Sequence, residues 1–148
     1  MAERLKVRVV LDEGQGALRS RLDLKAIRLL ARRAALGRGL GNGHINVVLT
    51  GSDEMRRLNR AHRGVDATAD VLSFDLRDVS EKSIVGEVYI SVPCARDRAS
   101  KRKRALRKEV FHLTVHGILH LAGFDHQTQE EWGEMERETR RCISTHDP

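Results

Sequence analysis

The sequence contains few aromatic residues, few cysteines and no long apolar run. Phe, Trp and Tyr make up 3% of its 148 residues, which argues against the stacking platforms on which many single-strand binders hold bases. Its two cysteines, Cys94 and Cys142, are too few for a disulfide framework, and we expect free thiols. Neither a run of roughly 20 apolar residues nor a secretory signal is present. We therefore expect one cytoplasmic domain over 1–148 with no membrane partner.

Basic residues outnumber acidic ones, 27 to 21, and the formal net charge of +6 favours a polyanionic partner such as nucleic acid. The basic run 96–108 contains eight Lys or Arg residues and one acid, Asp97. It forms either a solvated helix face or a phosphate-binding surface. If a helix begins near Ser100, as its pattern predicts, the cations from Lys101 to Arg104 lie near its N-terminus, where the helix dipole disfavours positive charge. That unfavourable placement favours a role in binding a partner.

Hydrophobic periodicity predicts an α+β fold with a small mixed four-stranded sheet packed with helices in a single domain. We predict strands over 5–11, 45–49, 71–74 and 84–92, and helices over 24–36, 53–62, 100–121 and 129–143. A hairpin is expected between the last two strands, and Pro93 is expected to open a helical region.

Polar residues and one glycine mark the expected helix ends. Asp23 and Ser52 are predicted N-caps, and Thr128 with Glu131 three residues later forms a capping-box pattern. Gly123 is expected to end the long helix, because glycine readily adopts the left-handed backbone conformation found there.

Three histidines near the end of the predicted long helix form a metal-binding pattern. His116 and His120 are four residues apart, so both imidazoles leave one face of the helix. Gly123 lets the chain turn back and bring in His126. Three imidazoles with a fourth position open are typical of catalytic zinc, whereas structural zinc is normally closed by four protein ligands. The sequence therefore predicts one Zn²⁺ per chain at the end of this helix.

The other histidines are assigned lesser roles. His112 lies one turn before His116 but about 12 Å of helix rise from His120, so a packing or supporting role is expected. His44, His62 and His146 lie in predicted turn or terminal segments and are expected at the surface.

The histidine spacing also matches the metzincin protease pattern, but the residue after the first histidine is Gly117. A metalloprotease needs a glutamate there as general base. Proteolysis is therefore a weak alternative. Zinc can activate water without that base, and an arginine can stabilise the negative charge that develops on a phosphodiester.

The segment from His116 to His126, HGILHLAGFDH, resembles the signature of the YbeY endoribonuclease, or ribosomal RNA maturation factor, family. The segments 58–74 and 86–91 resemble the other two motifs of that family, in the same order. The resemblance implies a zinc site of His116, His120 and His126. It also implies metal-dependent cleavage of single-stranded RNA in rRNA maturation, notably at the 3′ end of the small-subunit RNA, and in ribosome quality control. RNA and the small ribosomal subunit are the implied partners.

The same resemblance places Arg63 in the cleft that faces the metal, where it would bind substrate phosphate and stabilise the transition state. The alternative is a loop arginine that pairs with Asp66 or Asp70. Asp70 is expected to order the loop, and Asp125 either to orient a histidine or to cap the turn.

Two departures from the family pattern affect this loop. Thr68-Ala69 stand where the family usually has Pro-Thr, and Asp75 stands where it usually has proline. They predict a less constrained loop around Arg63.

Two hypotheses of different class follow. The first is a zinc-dependent endoribonuclease, and the second is a non-catalytic ribosome- or RNA-binding assembly factor with a mainly structural metal. A metalloprotease is a distant third. The sequence leaves the oligomeric state open.

Overall fold

The structure is a computed structural model that describes residues 4–12, 14–78, 80–124 and 128–146. The described residues form four strands, β1 (Arg4–Leu11), β2 (Asn42–Thr50), β3 (Val71–Asp75) and β4 (Ile84–Ser91). They also form five α-helices, α1 (Leu24–Gly37), α2 (Ser52–Arg63), α3 (Val92–Arg102), α4 (Leu106–Leu121) and α5 (Gln129–His146). The predicted single-domain α+β class is confirmed.

The four strands form one mixed sheet in the order β1-β2-β4-β3. β2 runs parallel to both β1 and β4, whereas β3 is antiparallel to β4. α1 is the crossover connection that the parallel pair β1–β2 requires. The predicted hairpin of β3 and β4 is confirmed, and it places β3 at one edge of the sheet.

The two faces of the sheet pack against different helices. Ile84, Val88 and Ile90 alternate along β4 and point into the main core, which also contains apolar residues of α1 and α4. Leu72 of β3 points to the opposite face, where it packs with Met55 and Leu58 of α2. This alternation is the period-2 pattern of a strand covered on both faces.

α4 is the central helix of the main core. It packs against β3, β4, α1, α3 and α5, and 12 of its 16 residues are buried. A helix buried on nearly all sides normally carries apolar residues, so its buried glutamate and histidines must be satisfied by specific partners.

The predicted single helix over 100–121 is wrong, because two helices cover this segment. Lys103 has φ 54°, and its N–H donates to the carbonyls of Ala99 and Ser100, which ends α3. Lys101 and Arg102 consequently lie in the last turn of α3, where the helix dipole favours cations. The inference from the helix dipole that these residues bind a partner is therefore wrong as well. Pro93 lies in the first turn of α3, as predicted.

Most of the predicted helix ends are confirmed. Asp23 Oδ1 accepts the N–H of Ala26 at 3.0 Å. Thr128 Oγ1 accepts the N–H of Glu131 at 3.1 Å. Gly123 has φ 96° just past the end of α4. The prediction for Ser52 is wrong, because Ser52 is the first residue of α2, Gly51 precedes it, and no side chain caps this helix.

Among the helices that the structure describes, none has the length and apolar character needed to cross a membrane.

Candidate functional site

One face of α4 presents a row of three histidines. The ring centroids of His112 and His116 are 6.2 Å apart, and those of His116 and His120 are 5.0 Å apart. His112 and His116 are buried, whereas His120 is partly exposed at the end of the helix. The row therefore runs from the interior of the fold towards its surface.

His116 and His120 line a cleft of about 1090 Å³, called here the main cleft. The end of α2, the edge strand β3 and the residues after β3 form its other walls. The lining includes His62, Arg63, Asp70, Ser73, Phe74, Asp75 and Arg77 as well as the two histidines. The structure thus brings Arg63 into the same cleft as two of the three predicted zinc ligands. The third, His126, lies outside the described residues, as does Asp125.

Arg63 is the last residue of α2 and is exposed. The two carboxylates considered as its partners pair with other arginines instead. Asp66 lies 3.7 Å from Arg56, and Asp70 accepts a hydrogen bond from Arg98 at 3.0 Å. Within the part of the chain that the structure describes, Arg63 takes part in no ion pair, so its guanidinium is available to a ligand in the main cleft.

The loop between Arg63 and β3 is held by specific contacts despite the missing proline and threonine. Gly64, with φ 69°, ends α2. Asn59 Nδ2 donates to the carbonyl of Ala67 at 2.9 Å. The carbonyl of Asp70 accepts the N–H of Ser91 at 2.9 Å. Asp70 therefore orders the loop through its backbone as well as through the ion pair of its side chain.

Asp75, the second departure from the family pattern, pairs with Arg77 in the wall of the main cleft. Arg77 donates to the two carboxylate oxygens of Asp75 from Nε at 3.0 Å and Nη2 at 2.6 Å. These hydrogen bonds lower the pKa of Asp75 below its ordinary value. The aspartate is therefore ionised and paired at neutral pH.

His62 was expected at the surface, and it is exposed, but it also lines the main cleft. Its ring lies 4.7 Å from that of Phe74 of β3. Its position next to Arg63 was the available sequence signal for this placement, and its isolation from other histidines in the sequence obscured it.

Gly117, which stands where a metzincin carries its glutamate, faces the sheet. A Cβ at this position would lie 2.4 Å from Val88 Cγ1, and the Gly117 carbonyl accepts a hydrogen bond from Ser73 Oγ at 2.8 Å. A glutamate could not be accommodated here without moving the helix away from β3 and β4.

A second cleft of about 450 Å³ lies on the other side of His116. In it, the possible ligand atoms of His112, His116 and Glu136 all lie within 4.8 Å of one another, so this group could hold a metal ion. His112 Nε2 is 3.8 Å from Glu136 Oε1. Burial lowers the pKa of His112 below its ordinary value, although Glu136 opposes the shift. The neutral imidazole that a metal requires is thereby favoured.

From the sequence, His112 was assigned only a packing or supporting role, and Glu136 was not singled out. Glu136 lies 16 residues beyond His120 on another helix, and its surroundings read as an ordinary polar helix face. Only the packing of α5 against α4 brings Glu136 to the histidine row.

Three residues of the basic run 96–108 surround Glu109, which is fully buried. Arg98 Nε, Arg102 Nη1 and Arg104 Nη2 lie 3.3, 3.6 and 2.7 Å from its carboxylate oxygens. Burial alone would raise the pKa of Glu109, but the hydrogen bonds from Arg104 and Arg98 lower it overall. Part of the basic run therefore stabilises the fold.

Known proteins are similar to this chain in sequence and in fold. The sequence model of the family described as Endoribonuclease YbeY matches residues 20–147. A protein of that name from Aromatoleum aromaticum is 40% identical over 116 residues, which cover 78% of this chain and 74% of the relative. Another, from Geobacillus kaustophilus, is 37% identical over 114 residues, or 70% and 73%. A solution structure of a Thermotoga maritima protein is 26% identical, with a TM-score of 0.60, and covers 94% of this chain and 90% of that one. These matches, with three motifs in order on a shared fold, establish that the chain belongs to the endoribonuclease YbeY family.

Proposed function

We propose that this chain is a zinc-dependent endoribonuclease that cleaves single-stranded RNA in ribosomal RNA maturation. We propose that it processes the 3′ end of the small-subunit RNA and also acts in ribosome quality control. Its proposed location is the cytoplasm, and its proposed partner is the small ribosomal subunit. The proposed catalytic unit is one domain over residues 1–148. Membership of the endoribonuclease YbeY family supports an RNA substrate, and the net charge of +6 supports a polyanion.

His116, His120 and His126 are the proposed zinc ligands. The donor set fits this ion, since imidazole nitrogens bind zinc at about 2.0–2.1 Å, and two rings with centroids 5.0 Å apart can reach one ion. Zinc bound there would supply an activated water and polarise a phosphoryl oxygen. The rest of the chemistry falls to the residues around the cleft.

The observation that carries the proposal is the main cleft that Arg63 shares with His116 and His120. Arginine forms two parallel hydrogen bonds to a phosphate, and Asp66 and Asp70 are paired with other arginines. This supports the proposal that Arg63 orients the scissile phosphate and stabilises its developing charge. Ser73, bonded to the Gly117 carbonyl, fixes β3 against α4 and so fixes the distance across the cleft.

The group His112, His116 and Glu136 is a competing metal site, because two histidines and a glutamate also form catalytic zinc sites. Measuring the zinc content of two single variants distinguishes the three-histidine ligand set from this second group. If the proposed set is correct, His120→Ala loses zinc and Glu136→Gln keeps it. The reverse result would move the metal to the second cleft.

The function is tested by cleavage of a labelled single-stranded RNA with wild type, His120→Ala and Arg63→Ala. Arg28→Ala, on the exposed side of α1, is the matched control for the loss of one positive charge. We expect Arg63→Ala to lower kcat/KM by about 10²–10³, the loss typical of removing a donor to a developing oxyanion. Arg28→Ala should retain nearly all activity.

Three results would contradict the proposal. Full activity of a folded, zinc-loaded Arg63→Ala protein would remove Arg63 from the mechanism. RNA binding without cleavage by every variant and by wild type would favour the assembly factor. Hydrolysis of casein would favour a protease.

A further inference from the structure

The two clefts meet at His116. Both are lined by His116 and Asp70, and they extend from there in different directions. A single RNA strand whose phosphate lies at His116 must place its neighbouring nucleotides on both sides of that histidine. The main cleft supplies one side, and the second cleft is the space available on the other.

Trp132 forms one wall of the second cleft. It lies in the first turn of α5, and the residue is 46% exposed. Its ring centroid is 6.0 Å from that of His116. Single exposed apolar side chains are common and need no explanation. An indole that lines a cavity beside the candidate reaction centre is different, because its exposed part is accessible to a ligand in that cavity. Leu29 of α1 is exposed to a similar degree but lines neither cleft.

The charges in the second cleft fit a nucleobase better than a phosphate. Its walls carry two cations, Arg98 and Arg102, and two carboxylates, Asp70 and Glu136, so the formal charges balance. A phosphate gains no net attraction from walls of balanced charge, whereas a neutral base carries both donors and acceptors on its edge. The volume of about 450 Å³ falls in the range of small-ligand pockets, about 300–1,000 Å³.

We propose that the second cleft binds a nucleobase of the single-stranded RNA substrate, adjacent to the scissile phosphate, by stacking it on Trp132. This inference rests on the proposed function. Trp132 thereby acts as a binding residue that sets the register of the strand across His116. Stacking on an aromatic side chain tolerates every base, so one tryptophan can perform this role in a chain otherwise poor in aromatic residues.

The first test uses the fluorescence of Trp132, the one tryptophan in the sequence. Zinc-loaded wild type is titrated with a single-stranded 2′-O-methyl oligonucleotide, and gel electrophoresis checks that the oligonucleotide stays intact. Anisotropy of a label on the oligonucleotide reports binding independently. We expect saturable quenching with the same midpoint as the anisotropy change. An abasic nucleotide at one position of the oligonucleotide should remove most of the quenching. Binding without any change in Trp132 emission would overturn the proposal.

The second test compares Trp132→Ala with Trp132→Phe and with the control Leu29→Ala. Loss of one stacking contact should weaken oligonucleotide binding roughly 5- to 150-fold in Trp132→Ala, and KM for RNA should rise in parallel. Trp132→Phe retains an aromatic face and should recover most of this loss. Leu29→Ala should bind as wild type does. Thermal melting checks that each variant is folded. If Trp132→Ala does not fold, the fluorescence test on wild type decides whether the second cleft binds a base.

The outcomes separate this inference from the function on which it rests. Wild-type binding and KM in a folded Trp132→Ala protein would overturn the base site and leave the endoribonuclease intact. Failure of wild type to bind or cut RNA would overturn both. Loss of zinc in Glu136→Gln with retention of zinc in His120→Ala would make the second cleft the metal site. That result would overturn the base site and the proposed zinc ligands, but not the endoribonuclease activity.

Discussion

Gly117 of α4 lies directly against Val88 of β4, with room for no side chain between them. A Cβ at Gly117 would come within 2.4 Å of Val88 Cγ1 and 3.1 Å of Val71 Cγ2. Because α4 approaches the sheet this closely, His116 and His120 reach the rim of β3 and face the end of α2 across the main cleft. The glycine thus determines how far the histidines lie from Arg63.

Gly117→Ala should destabilise the protein. Val88 is fully buried and β-branched, so it has little freedom to move. Overpacking should outweigh the better helix propensity of alanine, for a net loss of about 1–2 kcal/mol in the free energy of unfolding. Gly133→Ala is the matched control in α5, since its Cβ would meet only the flexible tip of Arg137. It should stabilise by up to about 1 kcal/mol. Denaturant unfolding measures both, and equal effects would refute the packing role of Gly117.

Glu109→Gln should destabilise the protein in a pH-dependent way. Removing the buried charge leaves Arg98 and Arg104 without their shared partner, at a cost of about 2–3 kcal/mol. This is below the loss for fully buried pairs, because the arginines are partly exposed.

The sign of the pH dependence follows from the pKa of Glu109. It is lower in the folded chain than the ordinary 4.5, so the stabilisation is present above pH 4.5 and is lost as pH falls below it. The gap between wild type and Glu109→Gln in the free energy of unfolding should therefore narrow below pH 4.5. Glu134→Gln, an exposed change on α5, should show no such gap. A constant gap would contradict the ion-pair account.

Zinc removal should lower both activity and thermal stability. A ligand that binds only the folded state stabilises it by about 2.7 kcal/mol at a hundredfold excess over its Kd. Chelation should therefore lower Tm, and added Zn²⁺ should restore it. His120→Ala should abolish this Zn²⁺-dependent rise in Tm, whereas His44→Ala, on an exposed position of β2, should retain it. A full response of His120→Ala to zinc would exclude His120 as a ligand.

Arg63→Lys should separate charge from geometry at the main cleft. Lysine keeps the positive charge but lacks the planar fork that holds a phosphate through two hydrogen bonds. Its kcat/KM for single-stranded RNA should lie between those of wild type and Arg63→Ala, with most of the loss in kcat. Activity equal to that of wild type would show that Arg63 acts only through its long-range charge.

The two thiols should differ in reactivity. Burial raises the pKa of Cys142, which lies in the main core, whereas Cys94 is partly exposed. Because the thiolate is the reacting species, an aromatic disulfide reagent should modify Cys94 in the native protein and Cys142 only on unfolding. Fast release of two equivalents of the aromatic thiolate per chain, one for each cysteine, from the native protein would contradict the burial of Cys142.

The sequence determined most of the secondary structure, because that information is local. The period-2 runs of β1 to β4, the Asp23 cap and the left-handed Gly123 depend on neighbours a few residues away. The same locality revealed His116 and His120, which lie one helical turn apart. The break between α3 and α4 could not be predicted from local sequence, because Lys103 adopts its left-handed conformation without any glycine or proline to indicate it.

Only the tertiary structure decided which distant residues meet. Arg63, on α2, faces the histidines because β3 pairs antiparallel with β4 and α4 packs across both strands. Glu136 and Trp132 reach the far side of His116 because α5 packs on α4. Three arginines of the basic run surround Glu109 because this carboxylate is buried, and a buried carboxylate must be paired. Periodicity reports which face of an element is apolar, but it carries no information about which other element covers that face, and the site is built from those pairings.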